Sequence, residues 1–263
     1  MELDENKLTY EYIDSIFKAR INDNLATHAN MVSVFHIGIE TSLCLNESLQ
    51  LKFLEKSKVT GKSFSGPQSF VSLLFLRNSN YLIATEELAL RGLANSSYLN
   101  LRVVFEGITL IYLLYLTEIE ASLFYKKQLG ILTPKEESDL KKKYNWLGPK
   151  TVRSILYSGE KKDQLEMFYH ELSNFAHASV KGLMMDIESK KGVVGDILGT
   201  GLMLMVSNLI AIYDIYFDII EEKEKKKIEQ TCDEIVKELE GQWPDLAPNS
   251  PEFIDKLKFN FQQ

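Results

Sequence analysis

The chain predicts an all-α helical bundle, and three observations carry that expectation. Apolar residues recur at helical spacing over long stretches, and no convincing run alternates with the period of a strand. Only six prolines and fourteen glycines interrupt 263 residues. A hydrophobic fraction of 45%, with 14 Phe and 12 Tyr, is ample for a core between helices.

In chain order, Leu3 to Ala19 reads as an amphipathic helix through Leu8, Tyr12, Ile13, Ile16 and Phe17. A second helix starts near Asp23 and runs toward Leu54. Pro67 suits the first turn of a third, which continues to Leu93 after a Gly/Ser/Lys-rich connection. Asn95-Ser96-Ser97 supplies an N-cap for a central helix expected from Ser97 to Lys127. Thr133 and Pro134 mark the next start, as cap and first position. A break at Leu147-Gly148-Pro149 precedes a short helix over Val152 to Tyr157. Asp163 opens the helix of Tyr169, Ser173 and His177. Glu188 to Gly195 reads as a loop, and Asp196 as the cap of a long apolar helix to Ile220. A charged stretch, Glu221 to Glu240, ends at Trp243-Pro244 and leaves a peripheral tail. The organisation expected is N-terminal helices over 1–66, a helical core over 67–222 with a basic insertion at 125–162, and a charged helix plus tail over 223–263.

Composition excludes several classes. Cys44 and Cys232 are too few for a disulfide framework or a structural zinc site. The start, Met1-Glu2-Leu3-Asp4-Glu5, is acidic and unlike a secretory leader. The stretch Ile108–Leu116 is far short of the roughly 20 residues of a span. Ile197 to Ile220 has the length but carries Asn208, Asp214 and Asp218, which suits a buried core helix. The expectation is a soluble cytoplasmic protein without membrane insertion.

The formal net charge is −7, yet residues 125–162 hold nine Lys and one Arg against Glu136, Glu137, Asp139 and Glu160. That segment is basic on an acidic body. It is either a solvated helix surface or an electrostatic footprint for nucleic acid, with Lys141, Lys142, Lys143, Lys150 and Arg153 as the phosphate-facing cations.

Short motifs are weaker. Thr60-Gly61-Lys62-Ser63 resembles the end of a phosphate-binding loop, but Lys56 stands where its first glycine is required. Glycines 192, 195, 199 and 201 follow no strand; they suit a loop and close helix approach. Di-metal bundles need Glu-x-x-His on two helices, and the chain has none, so neither metal nor cofactor is expected. Glu166/His170, His36/Glu40 and Asp214/Asp218 are each four apart, the spacing of ordinary exposed or capping contacts.

Two polar clusters stand out in apolar helices. Between residues 103 and 116 only Glu106, Gly107 and Thr109 are not hydrophobic, so a carboxylate there needs a partner. Arg102 lies four residues earlier on the same face. Tyr169, Ser173 and His177 form one stripe about seventy residues later. A His–Arg–carboxylate group offers a proton carrier and an anion clamp together, the groups that metal-independent RNA cleavage needs. The same residues equally suit a buried structural network.

Ala89-Leu90-Arg91-Gly92-Leu93 with Tyr98, Leu101-Arg102 and Glu106, then Tyr169, Leu172-Ser173 and His177-Ala178-Ser179, resembles a family of prokaryotic helical proteins of unassigned function. That family is in turn similar to the HEPN superfamily of helical bundles, whose active members are RNases of toxin–antitoxin and antiviral systems. The resemblance covers roughly residues 68 to 220. It implies an HEPN-like bundle with additional N- and C-terminal helices, pairing as a homodimer or with a partner protein. Active HEPN RNases carry an Arg and a His separated by four to six residues; here position 172 is Leu. Two readings follow. One is a metal-independent nuclease, or related effector of toxin or antiviral-defence type, acting on RNA, with His177 as acid/base, Arg102 as phosphate clamp, Glu106 orienting either one, and Tyr169 and Ser173 beside them. The other is a non-enzymatic helical module in which these residues are structural.

Overall fold

The computed structural model describes residues 10–60, 67–176 and 191–242, and among these there is no strand. Nine helices follow in order: α1 (Tyr10–Thr60), α2 (Pro67–Leu90), α3 (Ala94–Leu116), α4 (Ile119–Leu129), α5 (Pro134–Lys142), α6 (Pro149–Leu156), α7 (Gly159–Ala176), α8 (Lys191–Ile215) and α9 (Glu222–Gln242). A single turn at Asn145–Leu147 joins α5 to α6. The all-α bundle expected from periodicity is the fold observed.

α3 is the axis. It packs along α2 most extensively, then on α7 and α8, while α1 and α9 close the far side of α8. Phe35 of α1, Leu101 and Ile111 of α3, and Met205 and Val206 of α8 are wholly buried. Each such side chain contributes about 1.5–3 kcal/mol on burial. Gly201 permits the crossing: a Cβ there would lie 2.7 Å from Phe35 Cε2 and 3.7 Å from Leu101 Cδ2. Two asparagines pair across helices inside the bundle. Asn78 Nδ2 donates to Asn208 Oδ1 at 3.0 Å between α2 and α8, and Asn24 Nδ2 donates to the Leu90 carbonyl at 2.8 Å, capping the end of α2. By length and hydropathy, 94–116 and 192–215 also meet the description of membrane spans. Their most apolar stretches are 56% and 78% buried against the rest of the protein, as core helices are.

Several expected boundaries move, each for a local reason. The first two helices are one, α1, broken in dihedral terms only at His28 (φ −119°, ψ 26°), where α8 approaches through Gly195. α3 starts at Ala94 without a side-chain cap, so Asn95-Ser96-Ser97 lie inside it; Ser97 Oγ donates back to the Leu93 carbonyl at 2.9 Å. It ends at Leu116 rather than Lys127 because Thr117 turns extended (φ −123°, ψ 136°) while its hydroxyl donates to the Leu113 carbonyl. α7 begins at Gly159, not Asp163, and Glu160 complements its N-terminal turn. Asp196 lies within α8 and caps nothing, and glycines 192, 195, 199 and 201 are helical. Thr133 and Pro134 do start α5: Thr133 Oγ1 accepts from Glu136 N, and Glu136 Oε2 accepts from Thr133 N, a capping box. The short helix expected over Val152 to Tyr157 instead begins at Pro149, within the expected break, with Gly148 at its N-cap position and Leu156 at its end. The Gly61-Lys62-Ser63 motif, Glu188 to Lys190, Trp243-Pro244 and the C-terminal tail lie outside the described residues.

The turn before α6 is unusual. Asn145, Trp146 and Leu147 all have positive φ (42°, 59° and 51°). Left-handed backbone costs L-residues about 1–2 kcal/mol each. Leu147 is buried, and Lys127 Nζ donates to the Trp146 carbonyl at 2.8 Å, so packing and this bond hold the turn.

Candidate functional site

The two clusters of α3 and α7 meet. On α3 the four-residue spacing turns Arg102 and Glu106 to one face, where Arg102 Nε donates to Glu106 Oε1 at 3.1 Å. The apolar neighbours bring α7 onto that face: Phe105 packs edge-on against Phe168 with centroids 5.3 Å apart, and lies 6.4 Å from the Tyr169 ring. Tyr169 is thereby placed so that its hydroxyl donates to the same oxygen, Glu106 Oε1, at 3.0 Å. Arg102 and Glu106 remain 24% and 25% exposed. The central position expected for this pair is therefore the rim of the bundle, not its centre. Its need for partners is met all the same.

The network continues inward through a residue the sequence placed elsewhere. Arg153, expected on the basic surface among phosphate-facing cations, is 1% exposed and cannot meet a surface ligand. Its Nε and Nη2 donate to Glu166 Oε1 and Oε2 at 3.0 and 2.9 Å, a bidentate pair between α6 and α7. Nη1 is buried without a hydrogen-bond partner, and the guanidinium lies 3.8 Å from the centroid of the Tyr169 ring. Arg102 lies 5.0 Å from the same ring. Tyr169 thus carries two cation–π contacts and one charge-assisted hydrogen bond.

Electrostatics follow from these contacts. Burial and then the Glu106 carboxylate raise the Tyr169 phenol above its ordinary value, against smaller opposing effects of Arg102 and Ser173. The phenol is therefore a hydrogen-bond donor, not a phenolate. The Arg153 hydrogen bonds hold Glu166 below the usual carboxylate value. Ser173, one turn beyond Tyr169, is buried. His177 lies outside the described residues.

Two participants were missed by the sequence. Glu166 sits opposite Arg153 rather than serving His170, and no local spacing signals this. Arg77 of α2 lies in the field of Glu106; burial lowers its pKa, with Tyr81 and Glu106 countering. Gly107 is the available clue, because a Cβ there would collide with Asn78 Oδ1 and come within 2.8 Å of Arg77 Nη2. His36 similarly pairs with Glu86 on α2 at 2.7 Å, not with Glu40.

The remaining basic residues stay at the surface: Lys141, Lys142, Lys143 and Lys150 are exposed around the left-handed turn, with Lys143 3.5 Å from Asp139. Among the described residues no group of three or more His, Cys, Asp or Glu is arranged to hold a metal ion. A separate cavity of about 340 Å³ lies between α1 and α9, lined by Thr41, Cys44, Leu45, Lys227 and Ile228 among others. It shares no residue with the network.

No protein-family model, curated protein or solved structure matches this chain. The functional reading therefore rests on the arrangement itself.

Proposed function

We propose that this protein is a non-enzymatic helical interaction module whose Arg–Glu–Tyr network is a structural clamp between α3, α6 and α7. One observation carries the reading: the two arginines against Tyr169 each have their own carboxylate, Glu106 for Arg102 and Glu166 for Arg153. A phosphate approaching Arg102 also meets the Glu106 carboxylate bonded to it, so its Coulombic gain is offset. At an effective dielectric near 20, one unit-charge contact at 4 Å is worth about 4 kcal/mol of either sign.

A metal-independent, RNA-directed effector is the second reading. It is favoured by the partial exposure of Arg102 and by Arg77, which leaves one cation in excess around Glu106. Incubating purified protein with RNA in chelator-containing buffer separates the two. The module reading expects intact RNA from the wild type and from His177→Ala alike. Fragmentation by the wild type that disappears in His177→Ala, at matched thermal stability, overturns it.

A further inference from the structure

The basic segment loses Arg153 to the interior but keeps an exposed aromatic where a charge was expected to dominate. Trp146 is 37% exposed at the centre of three consecutive left-handed residues. Bulky residues seldom adopt that conformation, and strained backbone concentrates at binding and switch sites. Here it leaves Trp146 exposed while Leu147 beside it is buried. Lys127 holds the turn through the Trp146 carbonyl, with its ammonium 6.0 Å from the ring centroid. Because that ammonium bonds a carbonyl and not a carboxylate, its charge is not cancelled by the contact.

Lys141 and Lys142 at the end of α5 and Lys150 at the start of α6 are exposed and lie within five residues of Trp146 in the chain. Of the nearby carboxylates, Glu136 is held by Lys126, Asp139 by Lys143 and Glu166 by Arg153, while exposed Glu137 lies four residues before Lys141. Lys150 also lies in the field of Glu166. An exposed ring among cations suits one ligand chemistry above others. Single-stranded nucleic acid offers unpaired bases that stack on aromatic rings and phosphates that take lysines, whereas a duplex keeps its bases stacked on one another.

From this we infer that the α5–α6 turn is a binding site for single-stranded nucleic acid, with Trp146 as the base-stacking platform and Lys127, Lys141, Lys142 and Lys150 along the phosphates. This names a ligand for the interaction module proposed above and rests on that reading, but uses none of Arg102, Glu106 and Tyr169.

The test uses the full chain and a fluorescein-labelled 12-nucleotide oligouridine. The chain has two tryptophans, so a Trp243→Phe background makes Trp146 the only indole reporter. Saturable binding at low salt is expected to quench Trp146 emission. A duplex of the same length, oligouridine paired with oligoadenosine, should bind at least several-fold more weakly. Trp146→Ala should weaken single-strand binding by about ten-fold, in line with the usual worth of one stacked base. Trp146→Phe should stay within about three-fold of wild type. Lys141→Glu/Lys142→Glu should lower both the affinity and the slope of log K against log salt by about 1.4, two single-strand phosphate contacts.

Binding without Trp146 quenching, equal affinity for the duplex, or an unaltered Kd in Trp146→Ala overturns the inference. If Trp146→Ala fails to fold, the quench and the Trp146→Phe affinity still decide it. RNA that is cut rather than held defeats the non-enzymatic reading alone, since binding at Trp146 is then measured in His177→Ala.

Discussion

Two Arg–Glu pairs share the Tyr169 ring, and they differ in almost everything else. Arg102–Glu106 is local, one N–H to one oxygen on a single helix, with a quarter of each side chain in water. Arg153–Glu166 joins two helices through two parallel hydrogen bonds, and its arginine is 1% exposed. The first is the geometry of a surface bridge moved to a rim. The second is a buried charge made tolerable by one exclusive partner. Composition marks both arginines as cations available to a ligand; only burial tells them apart.

The comparison breaks most visibly if Arg153 survives without Glu166. Removing one member of a buried pair costs about 3–5 kcal/mol, because the remaining charge is left uncompensated. Glu166→Ala is therefore expected to lose about that much in urea unfolding. Arg153→Met should lose less, since it strands a carboxylate that is 16% exposed and within reach of water. Equal losses would show the guanidinium to be no worse stranded than the carboxylate. The acid limb adds a second readout. The folded-state pKa of Glu166 is depressed below its ordinary 4.5. The unfolded chain then binds the extra proton, so this contribution is complete above pH 4.5 and is lost as pH falls through the lower folded value. Glu166→Gln should flatten that part of the acid unfolding profile, and an unchanged profile would contradict the pairing.

Tyr169 joins the two halves, and its hydroxyl is the smaller part of the bond. Tyr169→Phe keeps the ring beside both guanidinium groups and removes only the donor to Glu106 Oε1. A hydrogen bond to a charged acceptor is worth about 1.5–3 kcal/mol, and Glu106 recovers part of that through water at the rim. A loss of about 1 kcal/mol in the same unfolding assay is expected. A loss as large as that of Glu166→Ala would mean that Glu106 is as enclosed as Arg153.

What was legible in the sequence follows the same division. Thr133-Pro134 was readable because a cap and its helix are neighbours in the chain, whereas Gly148-Pro149 was read as a break and is where the next helix starts. Arg102 and Glu106 were readable because four residues make one helical turn, and the fold class because periodicity repeats over every helix. Arg153 was misread for the opposite reason: its partner is thirteen residues away on another helix, and the lysines around it suggest a solvated surface. Arg77 approaches Glu106 where Gly107 lets α2 come close, and that glycine inside an apolar helix was its one mark in the chain. The helix boundary at Thr117 depended on one extended residue inside a long apolar run. The Trp146 turn needed backbone angles that an Asn-Trp-Leu sequence does not announce.

The last way to sharpen the comparison is a double-mutant cycle on Arg102 and Glu106. Pairs of this spacing on exposed helices couple by about 0.3–0.5 kcal/mol, and the Arg-before-Glu order is the less favourable one. Low exposure pushes the coupling up, while the missing second hydrogen bond keeps it well below that of Arg153–Glu166. Arg102→Ala, Glu106→Gln and the double variant are expected to give a coupling below about 1 kcal/mol that shrinks further in 0.5 M salt, because water reaches the rim. A coupling of several kcal/mol, insensitive to salt, would place this pair beside Arg153–Glu166 as a second sealed clamp. Arg102 would then be closed to any phosphate, and the RNA-directed reading would lose its anion clamp along with the contrast between the two pairs.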